Sequence, residues 1–326
     1  MTILVTGAAG FIGFHTSLAL LGRGEAVLGV DNVNDYYDVR LKDARLEILA
    51  RQPGFRFERQ DIADRDAMGD LARRHGDITR IVHLAAQAGV RYSLTHPHSY
   101  TRSNIEGHLV MLELARNLKR CEHMVYASSS SVYGSNTKLP FAVEDRVDNP
   151  VSLYAATKKA NELMSHCYSH LYRIPTSGLR FFTVYGPWGR PDMAAFLFVK
   201  AILAREPIQV FNHGNMKRDF TYVDDIVAGI VGVLDHPPAV VSDAPPYRVY
   251  NIGNHRSEPL LRFIGLIEQS LGIKAELSLE PLQAGDVPET YADIEAIRRD
   301  VGYEPTTPID VGIPRFVDWY RNYHGV

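Results

Sequence analysis

The chain has 326 residues, of which 45% are hydrophobic and 22% charged, and its formal net charge is −3. This composition excludes a disordered, collagen-like or coiled-coil protein, and the length allows one large domain or a core domain with a smaller partner. The near-neutral charge balance argues against nucleic acid as the main partner, because binding a phosphate backbone requires clustered excess lysine and arginine.

Cysteine content and hydropathy bear on the cellular setting. The two cysteines, Cys121 and Cys167, do not form a CxxC pair, so a reduced, cytoplasmic setting is the simpler expectation. The N-terminus lacks a basic segment, and glycines interrupt its apolar stretch, which is not typical of a signal peptide. No apolar run reaches the roughly 18 residues needed to cross a bilayer, so we expect a soluble protein without a membrane partner.

Short apolar runs alternate with helical patterns through the first half of the chain. The runs predict strands at residues 2–5, 26–30, 55–58, 81–84 and 124–127, followed by 177–182 and 247–252. This strand–helix–strand repetition predicts an α/β fold, a doubly wound parallel sheet of the Rossmann type.

The pattern changes after about Gly186, where prolines become frequent and the alternation is lost. We therefore expect a smaller C-terminal lobe packed at the carboxyl ends of the strands, where ligands bind in such folds. The prediction divides the chain into a Rossmann domain at 1–183, with a late return around 218–252, and a lobe that occupies most of 184–326.

A glycine triplet, Gly7, Gly10 and Gly13, lies between the first predicted strand and a helix predicted from Phe11 to about Arg23. The first glycine permits a tight turn, the second lets the backbone approach a pyrophosphate, and the third lets the helix pack closely on the sheet. Phosphates would then face the positive end of the helix. A plain strand–helix turn would also accept glycines here, and the GxxGxxG spacing differs from the GxGxxG fingerprint.

Asp31 strengthens the prediction of a dinucleotide site. It ends the second predicted strand, 18 residues after Gly13, which is near the distance at which an acidic residue reaches the adenosine ribose. A carboxylate at this position repels a 2′-phosphate, so the sequence favours NAD over NADP.

Tyr154 and Lys158 lie one helical turn apart on one face of a predicted helix. A free phenol has a pKa of about 10, and both a neighbouring ammonium and a positively charged nicotinamide favour the phenolate, so we expect this pKa to be lowered. A solvated helix face would accept the same pair, and 17 tyrosines make a chance match a real alternative.

A run of four serines, Ser128–Ser131, follows the predicted strand at 124–127. Because ligands bind at the carboxyl ends of strands in α/β sheets, we expect a serine hydroxyl here to bond a reacting substrate hydroxyl beside Tyr154. A simple turn is the alternative.

Together, the glycine triplet, the Leu84–Ala86 segment, the serine run and the Tyr154–Lys158 pair resemble the extended short-chain dehydrogenase/reductase family over essentially the whole chain. The resemblance implies that Ser129, Tyr154 and Lys158 carry catalysis, with NAD as cofactor, and that Asn104 has a structural role. It also implies a set of cofactor contacts: Gly7, Gly10, Phe11, Ile12, Gly13, Asp31, Asn32, Asp61, Ile62, Leu84, Ala85, Ala86, Tyr154 and Lys158.

Residues 31–38 and 179–193 further resemble the UDP-glucuronate 4-epimerase branch of this family. Ser130 and Ser131 stand where dehydratases carry an acidic pair and UDP-glucuronate decarboxylases a glutamate, so no acid is present to drive elimination. The resemblance implies 4-epimerisation of UDP-glucuronate to UDP-galacturonate through a transient 4-keto sugar, with tightly bound NAD. A UDP-glucuronate decarboxylase, a 4-epimerase of a neutral UDP-sugar and a non-enzymatic NAD-sensing module are the alternatives.

The same resemblance implies substrate contacts at Gln87, Arg91, Ser129, Ser130, Thr183, Arg190, Arg218 and Asp286. Within this set, Arg218 would hold the diphosphate and Asp286 the uridine ribose. Arg190 is the candidate for the sugar carboxylate, with Arg91 as a second one, because a guanidinium binds a carboxylate bidentately. Both arginines would equally suit solvated loops. Gln283 departs from the family pattern, since relatives often carry arginine there.

Two further features concern metals and assembly. His166 and His170 have a spacing that metal sites use, but no third ligand is apparent nearby, so we expect no metal. The predicted helices around 104–120 and 154–172 resemble the pair that joins relatives as a four-helix bundle, so we expect a homodimer.

Overall fold

The structure, a computed structural model, describes residues 1–241, 243–283 and 285–326. Its strands are β1 (Thr2–Thr6), β2 (Ala26–Asp31), β3 (Phe55–Arg59), β4 (Ile78–His83), β5 (His123–Ser129), β6 (Thr176–Phe181), β7 (Thr183–Tyr185), β8 (Ile208–Val210), β9 (Lys217–Arg218), β10 (Phe220–Tyr222), β11 (Tyr247–Ile252), β12 (Glu258–Pro259) and β13 (Leu277–Leu279). Its helices are α1 (Phe11–Gly22), α2 (Val39–Ala50), α3 (Arg65–Arg74), α4 (Tyr92–Thr95), α5 (Pro97–Tyr100), α6 (Gly107–Asn117), α7 (Leu153–Tyr172), α8 (Ala194–Leu203), α9 (Val223–Asp235), α10 (Leu260–Leu271), α11 (Glu295–Val301) and α12 (Ile309–His324).

Seven strands form one parallel sheet in the order β11-β6-β5-β4-β1-β2-β3. All five residues of β1 are buried, as expected for a central strand covered by helices on both faces. The strand order reverses between β1 and β4, and this reversal opens the crevice in which doubly wound sheets bind ligands. The predicted Rossmann-type sheet is confirmed.

The strand bounds show where apolar patterning was insufficient. The predicted strand at 81–84 begins at Ile78 and ends at His83. The polar residues Thr79 and Arg80 interrupt the apolar run, and the strand continues through them although its pairing with β1 shifts register there. Leu84 therefore lies beyond the strand. The late strand at 247–252 has the predicted bounds.

The apolar core consists of two clusters around the sheet and a third cluster made only of residues between Tyr185 and Tyr320. The third cluster includes residues of α8, α10 and α12. The predicted division near residue 183 stays a prediction. Beyond the predicted return at 218–252, residues 292–303 also contribute to a sheet cluster, through Ala292, Ile294, Ile297 and Tyr303.

One connection brings the C-terminal half of the chain to the crevice. After β6, the chain continues into β7, which pairs in parallel with β10 and so places the segments around residues 183 and 218 side by side.

Helix α7 begins after Ser152, whose hydroxyl accepts a hydrogen bond from the backbone N–H of Ala155 at 3.1 Å. In the described ranges, no helix is long and apolar enough to cross a bilayer.

Candidate active site

A cavity of about 420 Å³ lies at the carboxyl ends of the central strands. Every residue predicted to bind cofactor or substrate, or to act in catalysis, lines it, with the exception of Arg91. The lining also includes residues to which sequence analysis gave no role, among them Asn34, Tyr36, Lys42 and Phe182. The structure thus brings the predicted motifs together at one site.

The turn that leads from β1 into α1 requires glycine at positions 7, 10 and 13. A Cβ at Gly13 would lie 2.0 Å from the carbonyl oxygen of Gly7, and one at Gly10 would lie 2.9 Å from the same atom. Gly7 itself has a φ of +73°. Helix α1 begins after Gly10 without a side-chain cap, so its first N–H groups are free to bind an anion. The turn fits the pyrophosphate of a dinucleotide.

Asp31 lies at the end of β2 with its carboxylate fixed by the backbone. One oxygen accepts the N–H of Val33 at 2.8 Å and the other that of Ala9 at 3.2 Å. A buried lysine, Lys42, adds a cation to this end of the cavity, and its Nζ donates to both the carbonyl and the side-chain oxygen of Asn34 at 2.8 Å. Sequence analysis missed Lys42 because a lone lysine on an amphipathic helix is usually solvated.

Asn104 ties the segment after β4 to α7. Its side-chain oxygen accepts the N–H of Gln87 at 2.8 Å, and its amide nitrogen donates to the carbonyl of Gln87 at 3.0 Å and to the hydroxyl of Thr157 at 3.1 Å. All three residues are buried. This arrangement holds the Leu84–Ala86 segment and the helix that carries Tyr154 in fixed relation.

The Ser129 hydroxyl lies at the phenol of Tyr154. Its oxygen accepts hydrogen bonds from the N–H of Ser131 at 3.2 Å and from the Ser131 hydroxyl at 2.9 Å, which leaves its own hydrogen for the phenolic oxygen. Burial raises the pKa of Tyr154, and this effect outweighs the Ser129 hydrogen bond and the charge of Arg190, both of which lower it. In the protein alone the pKa of Tyr154 is therefore raised, contrary to the lowering that the sequence predicts.

The Lys158 side chain is bonded to the backbone of the neighbouring strand, a contact that the sequence did not predict. Its ammonium is buried and donates to the carbonyl oxygen of Ala127 at 2.9 Å. Burial lowers the pKa of Lys158 to about 8. The lysine thus remains mostly charged at neutral pH, one helical turn from Tyr154, but is held on the strand that carries the serine run.

A buried ion pair, which sequence analysis missed, supports the serine run. Glu162 accepts hydrogen bonds from Ser128 at 2.8 Å and, in bidentate geometry, from Nε and Nη2 of Arg180 at 2.8 and 2.9 Å. The pair connects α7 to β5 and β6. Glu162 continues the four-residue spacing of Tyr154 and Lys158, and this spacing is the signal that could have revealed it.

Arg190 lines the cavity but already has a carboxylate partner. Its Nε and Nη2 donate to the two oxygens of Asp192 at 3.0 and 2.5 Å, and the Tyr36 hydroxyl donates to the same carboxylate at 2.9 Å. The bidentate geometry expected with a substrate is therefore made with Asp192. In the described part of the chain, no protein acceptor lies within hydrogen-bond distance of Nη1 of Arg190, and the residue lines the cavity.

Arg218 and Asp286, which also line the cavity, form an ion pair at 2.6 Å. Arg218 also donates to the carbonyl of Pro288 at 3.1 Å. Arg91 does not line the cavity. Its guanidinium lies over the ring of Phe211, 4.7 Å from the centroid, and its charge acts on the lining residue Arg218. Its role as a substrate ligand stays a prediction.

Within residues 1–241, 243–283 and 285–326, no group of three or more His, Cys, Asp or Glu side chains is placed to hold a metal ion.

Comparison with known proteins identifies the family. The sequence profile of the NAD dependent epimerase/dehydratase family matches residues 3–253, which is more than half of the chain. The chain belongs to this family. The predicted family resemblance and the predicted dependence on NAD are confirmed, and the glycine turn described above lies within the matched segment.

Individual members of the family match over the full chain. UDP-glucuronate 4-epimerase 4 of Arabidopsis thaliana is 47% identical, with 99% of this chain and 76% of the plant protein covered. A probable UDP-glucuronate 4-epimerase of Rhizobium meliloti (strain 1021) is 46% identical, with 99% and 98% covered. The crystal structure of a Bacillus cereus UDP-glucuronic acid 4-epimerase, in complex with UDP-glucuronic acid and NAD, has a TM-score of 0.91 at 34% identity, with 99% and 100% covered.

Proposed function

We propose that this chain is an NAD-dependent isomerase that converts UDP-glucuronate to UDP-galacturonate by inverting C4. One structural observation carries the proposal: Ser129, Tyr154 and Arg190 face the same cavity, and the charge of Arg190 acts on the Tyr154 phenol. A sugar whose C4 hydroxyl meets the phenol presents the carboxylate on its neighbouring C5 to that guanidinium. The full-length similarity to UDP-glucuronate 4-epimerases supports the same activity.

The catalytic roles follow from the hydrogen bonds of the site. Tyr154 takes the proton from the C4 hydroxyl, and the Ser129 hydroxyl assists by stabilising the phenolate that accepts it. The Lys158 ammonium favours the phenolate. The glycine turn and Asp31 would hold NAD, which would supply reversible hydride transfer at C4 without net oxidation. Arg218 holds the diphosphate, about which the 4-keto sugar turns to present its other face to Tyr154.

The site must also hold the sugar carboxylate so that it is not lost as CO₂. A 4-keto-uronate is a β-keto acid that loses CO₂ when its C–C bond is aligned for cleavage. We assign the carboxylate to Nη1 of Arg190, with the hydroxyls of Ser130 and Thr183 also lining the wall. Among the described lining residues, the carboxylates are Asp31, Asp61 and Asp286, and none belongs to the serine run. The wall beside Tyr154 therefore favours epimerisation over a dehydratase-like elimination.

Product analysis tests the proposal directly. The purified protein is incubated with UDP-glucuronate, without added NAD, and the products are followed by nuclear magnetic resonance. UDP-galacturonate without CO₂ is the expected result. A UDP-pentose with CO₂ would identify a decarboxylase, and turnover of UDP-glucose alone would identify a neutral-sugar epimerase. No turnover of any UDP-sugar by protein that retains NAD would favour an NAD-sensing module.

We also propose that the protein is a homodimer joined through α6 and α7. The outer faces of these helices expose Leu109, Leu163, Leu171 and Tyr172, with Leu163 61% and Leu171 59% exposed. Sedimentation analysis should give a dimer for the wild type and a monomer for a Leu163→Asp, Leu171→Asp variant. A cytoplasmic location is proposed on the ground that Cys121 and Cys167 are unpaired.

A further inference from the structure

Arg45, on α2, is completely buried and connects two separate parts of the active site. Its Nη1 donates to the carbonyl oxygen of Ala9, within the glycine turn, at 2.8 Å. Its Nη2 donates to the carbonyl of Trp188 at 2.6 Å and to that of Gly189 at 3.5 Å. One guanidinium therefore touches both the proposed cofactor turn and the loop that leads into Arg190.

The partners of Arg45 are all neutral. Besides the three carbonyls, Nη1 donates to the Tyr37 hydroxyl at 2.7 Å, while Nε is buried without a partner. Among the described residues, no carboxylate lies within 4 Å of this guanidinium. A fully buried arginine without a counter-charge is unusual, because desolvating the cation is costly. The planar guanidinium is what allows two nitrogens to reach carbonyls on two different segments.

A second side chain holds the same loop. His15, on α1, bonds the carbonyl of Pro187 through Nε2 at 2.9 Å. Burial lowers the pKa of His15 to about 4, so the imidazole is neutral at physiological pH. The carbonyls of three consecutive residues, 187–189, are thus bound by side chains of the first two helices. Trp188 has a φ of +61°, a backbone conformation that a non-glycine residue adopts only when its surroundings impose it.

We propose that Arg45 is a positioning residue that fixes the Arg190 guanidinium relative to the cofactor turn. This inference rests on the proposed function of Arg190 as the group that meets the sugar carboxylate. Arg45 lies outside the cavity lining and touches neither ligand, so it acts only through the loop. A lysine at this position would keep the charge, but its single nitrogen cannot bridge Ala9 and Trp188 at once.

The first test uses Arg45→Lys and compares the dissociation constants of UDP-glucuronate and UDP-glucose. We expect the preference for the uronate to fall roughly tenfold, as for loss of one well-placed charged contact, with little change for the neutral sugar. Arg80→Lys is the matched control, since Arg80 is also little exposed but pairs with Glu25 at the other end of β4. It should leave the preference unchanged.

Loop position can be read independently of ligand binding. The chain has two tryptophans, Trp188 in the loop and Trp319 on α12, whose ring centroids lie 5.4 Å apart. A Trp319→Phe background, which keeps an aromatic ring against Trp188 and is shared by all variants compared, leaves Trp188 as the fluorophore. Arg45→Lys should increase quenching of Trp188 by acrylamide, whereas Arg80→Lys should not. If Arg45→Lys does not fold, His15→Leu, which removes the bond to Pro187, should shift both readouts in the same direction.

A double-mutant cycle separates positioning from a general structural effect. In an Arg190→Ala background, Arg45→Lys should cause no additional loss of uronate preference. Losses that multiply, or an unchanged preference together with unchanged Trp188 quenching, would overturn the proposal. Failure of the wild type to convert UDP-glucuronate would refute the proposed function instead, and the binding and fluorescence comparisons would still decide the role of Arg45.

Discussion

The ammonium of Lys158 donates a hydrogen bond to the carbonyl oxygen of Ala127, on the strand that carries Ser129, at 2.9 Å. The cation needed near the Tyr154 phenol is therefore kept in a buried position where it also joins α7 to the sheet. Burial of a charge opposes folding, so catalysis and stability make conflicting demands on this residue.

Lys158→Met should abolish turnover but raise the free energy of unfolding at pH 7 by about 1–3 kcal/mol. Burial lowers the folded-state pKa from 10.5 to about 8, so the unfolded chain binds this proton more tightly. The wild type therefore gains stability as the pH rises from 8 to 10.5, and its deficit relative to the variant should shrink over that window. Urea unfolding across this range measures both effects.

Lys119→Met provides the control for that experiment, since Lys119 is exposed. Its free energy of unfolding should stay within about 0.5 kcal/mol of the wild type at every pH. A Lys158→Met variant that is less stable than the wild type at pH 7 would show that the bond to Ala127 outweighs the cost of burying the charge.

Two glycines of α1 should respond oppositely to alanine. A Cβ at Gly13 would collide with the Gly7 carbonyl, whereas one at Gly22 meets nothing within 4 Å. Gly13→Ala should therefore lose most of the NAD that copurifies with the wild type, measured by releasing and quantifying the nucleotide. Gly22→Ala should retain it and gain about 0.5–1 kcal/mol of stability. Equal NAD content in both variants would argue against the glycine turn as the pyrophosphate site.

Removing one partner of the Glu162–Arg180 pair should lower the free energy of unfolding strongly. Arg180→Met leaves the buried Glu162 carboxylate with only Lys159, 3.5 Å from its Oε2, as a cation and should lower the free energy of unfolding by about 3 kcal/mol. Arg73→Met, which breaks the exposed pair with Asp70, should cost less than about 1 kcal/mol. Denaturant unfolding compares the two, and a small loss for Arg180→Met would mean that Glu162 is protonated or hydrated in the folded state.

Arg190→Ala should weaken UDP-glucuronate binding by about 10- to 100-fold while changing UDP-glucose binding far less. The reason is that only the uronate offers a carboxylate to Nη1. Calorimetry with both ligands measures the difference. An equal loss for the two sugars would remove Arg190 from carboxylate recognition.

Much of this site could be predicted from the sequence because its motifs are local. Gly7, Gly10 and Gly13 are constrained by a single turn, and Tyr154 and Lys158 by a single helix, so spacing alone relates them. The parallel order of the sheet then follows from the alternation of strands and helices. These parts need no knowledge of which distant segments touch.

The remaining features depend on contacts between residues far apart in sequence. Nothing in the pattern around Arg45 indicates that its guanidinium bonds a loop more than 140 residues away. Likewise, Asp192 takes the donors of Arg190 that we had assigned to a substrate, and burial, which spacing does not report, reverses the expected shift in the pKa of Tyr154. Tertiary packing decides both outcomes.

The most direct test of the central claim is the turnover of Tyr154→Phe with UDP-glucuronate, compared with Tyr172→Phe at the other end of the same helix. Tyr172 lies outside the cavity, and phenylalanine keeps its ring at the proposed α6–α7 interface, so this variant should match the wild type. Tyr154→Phe should fold, bind NAD and UDP-glucuronate, and lose about 10²–10⁴-fold in kcat, because it cannot accept the C4 proton. Wild-type turnover by Tyr154→Phe would contradict the account.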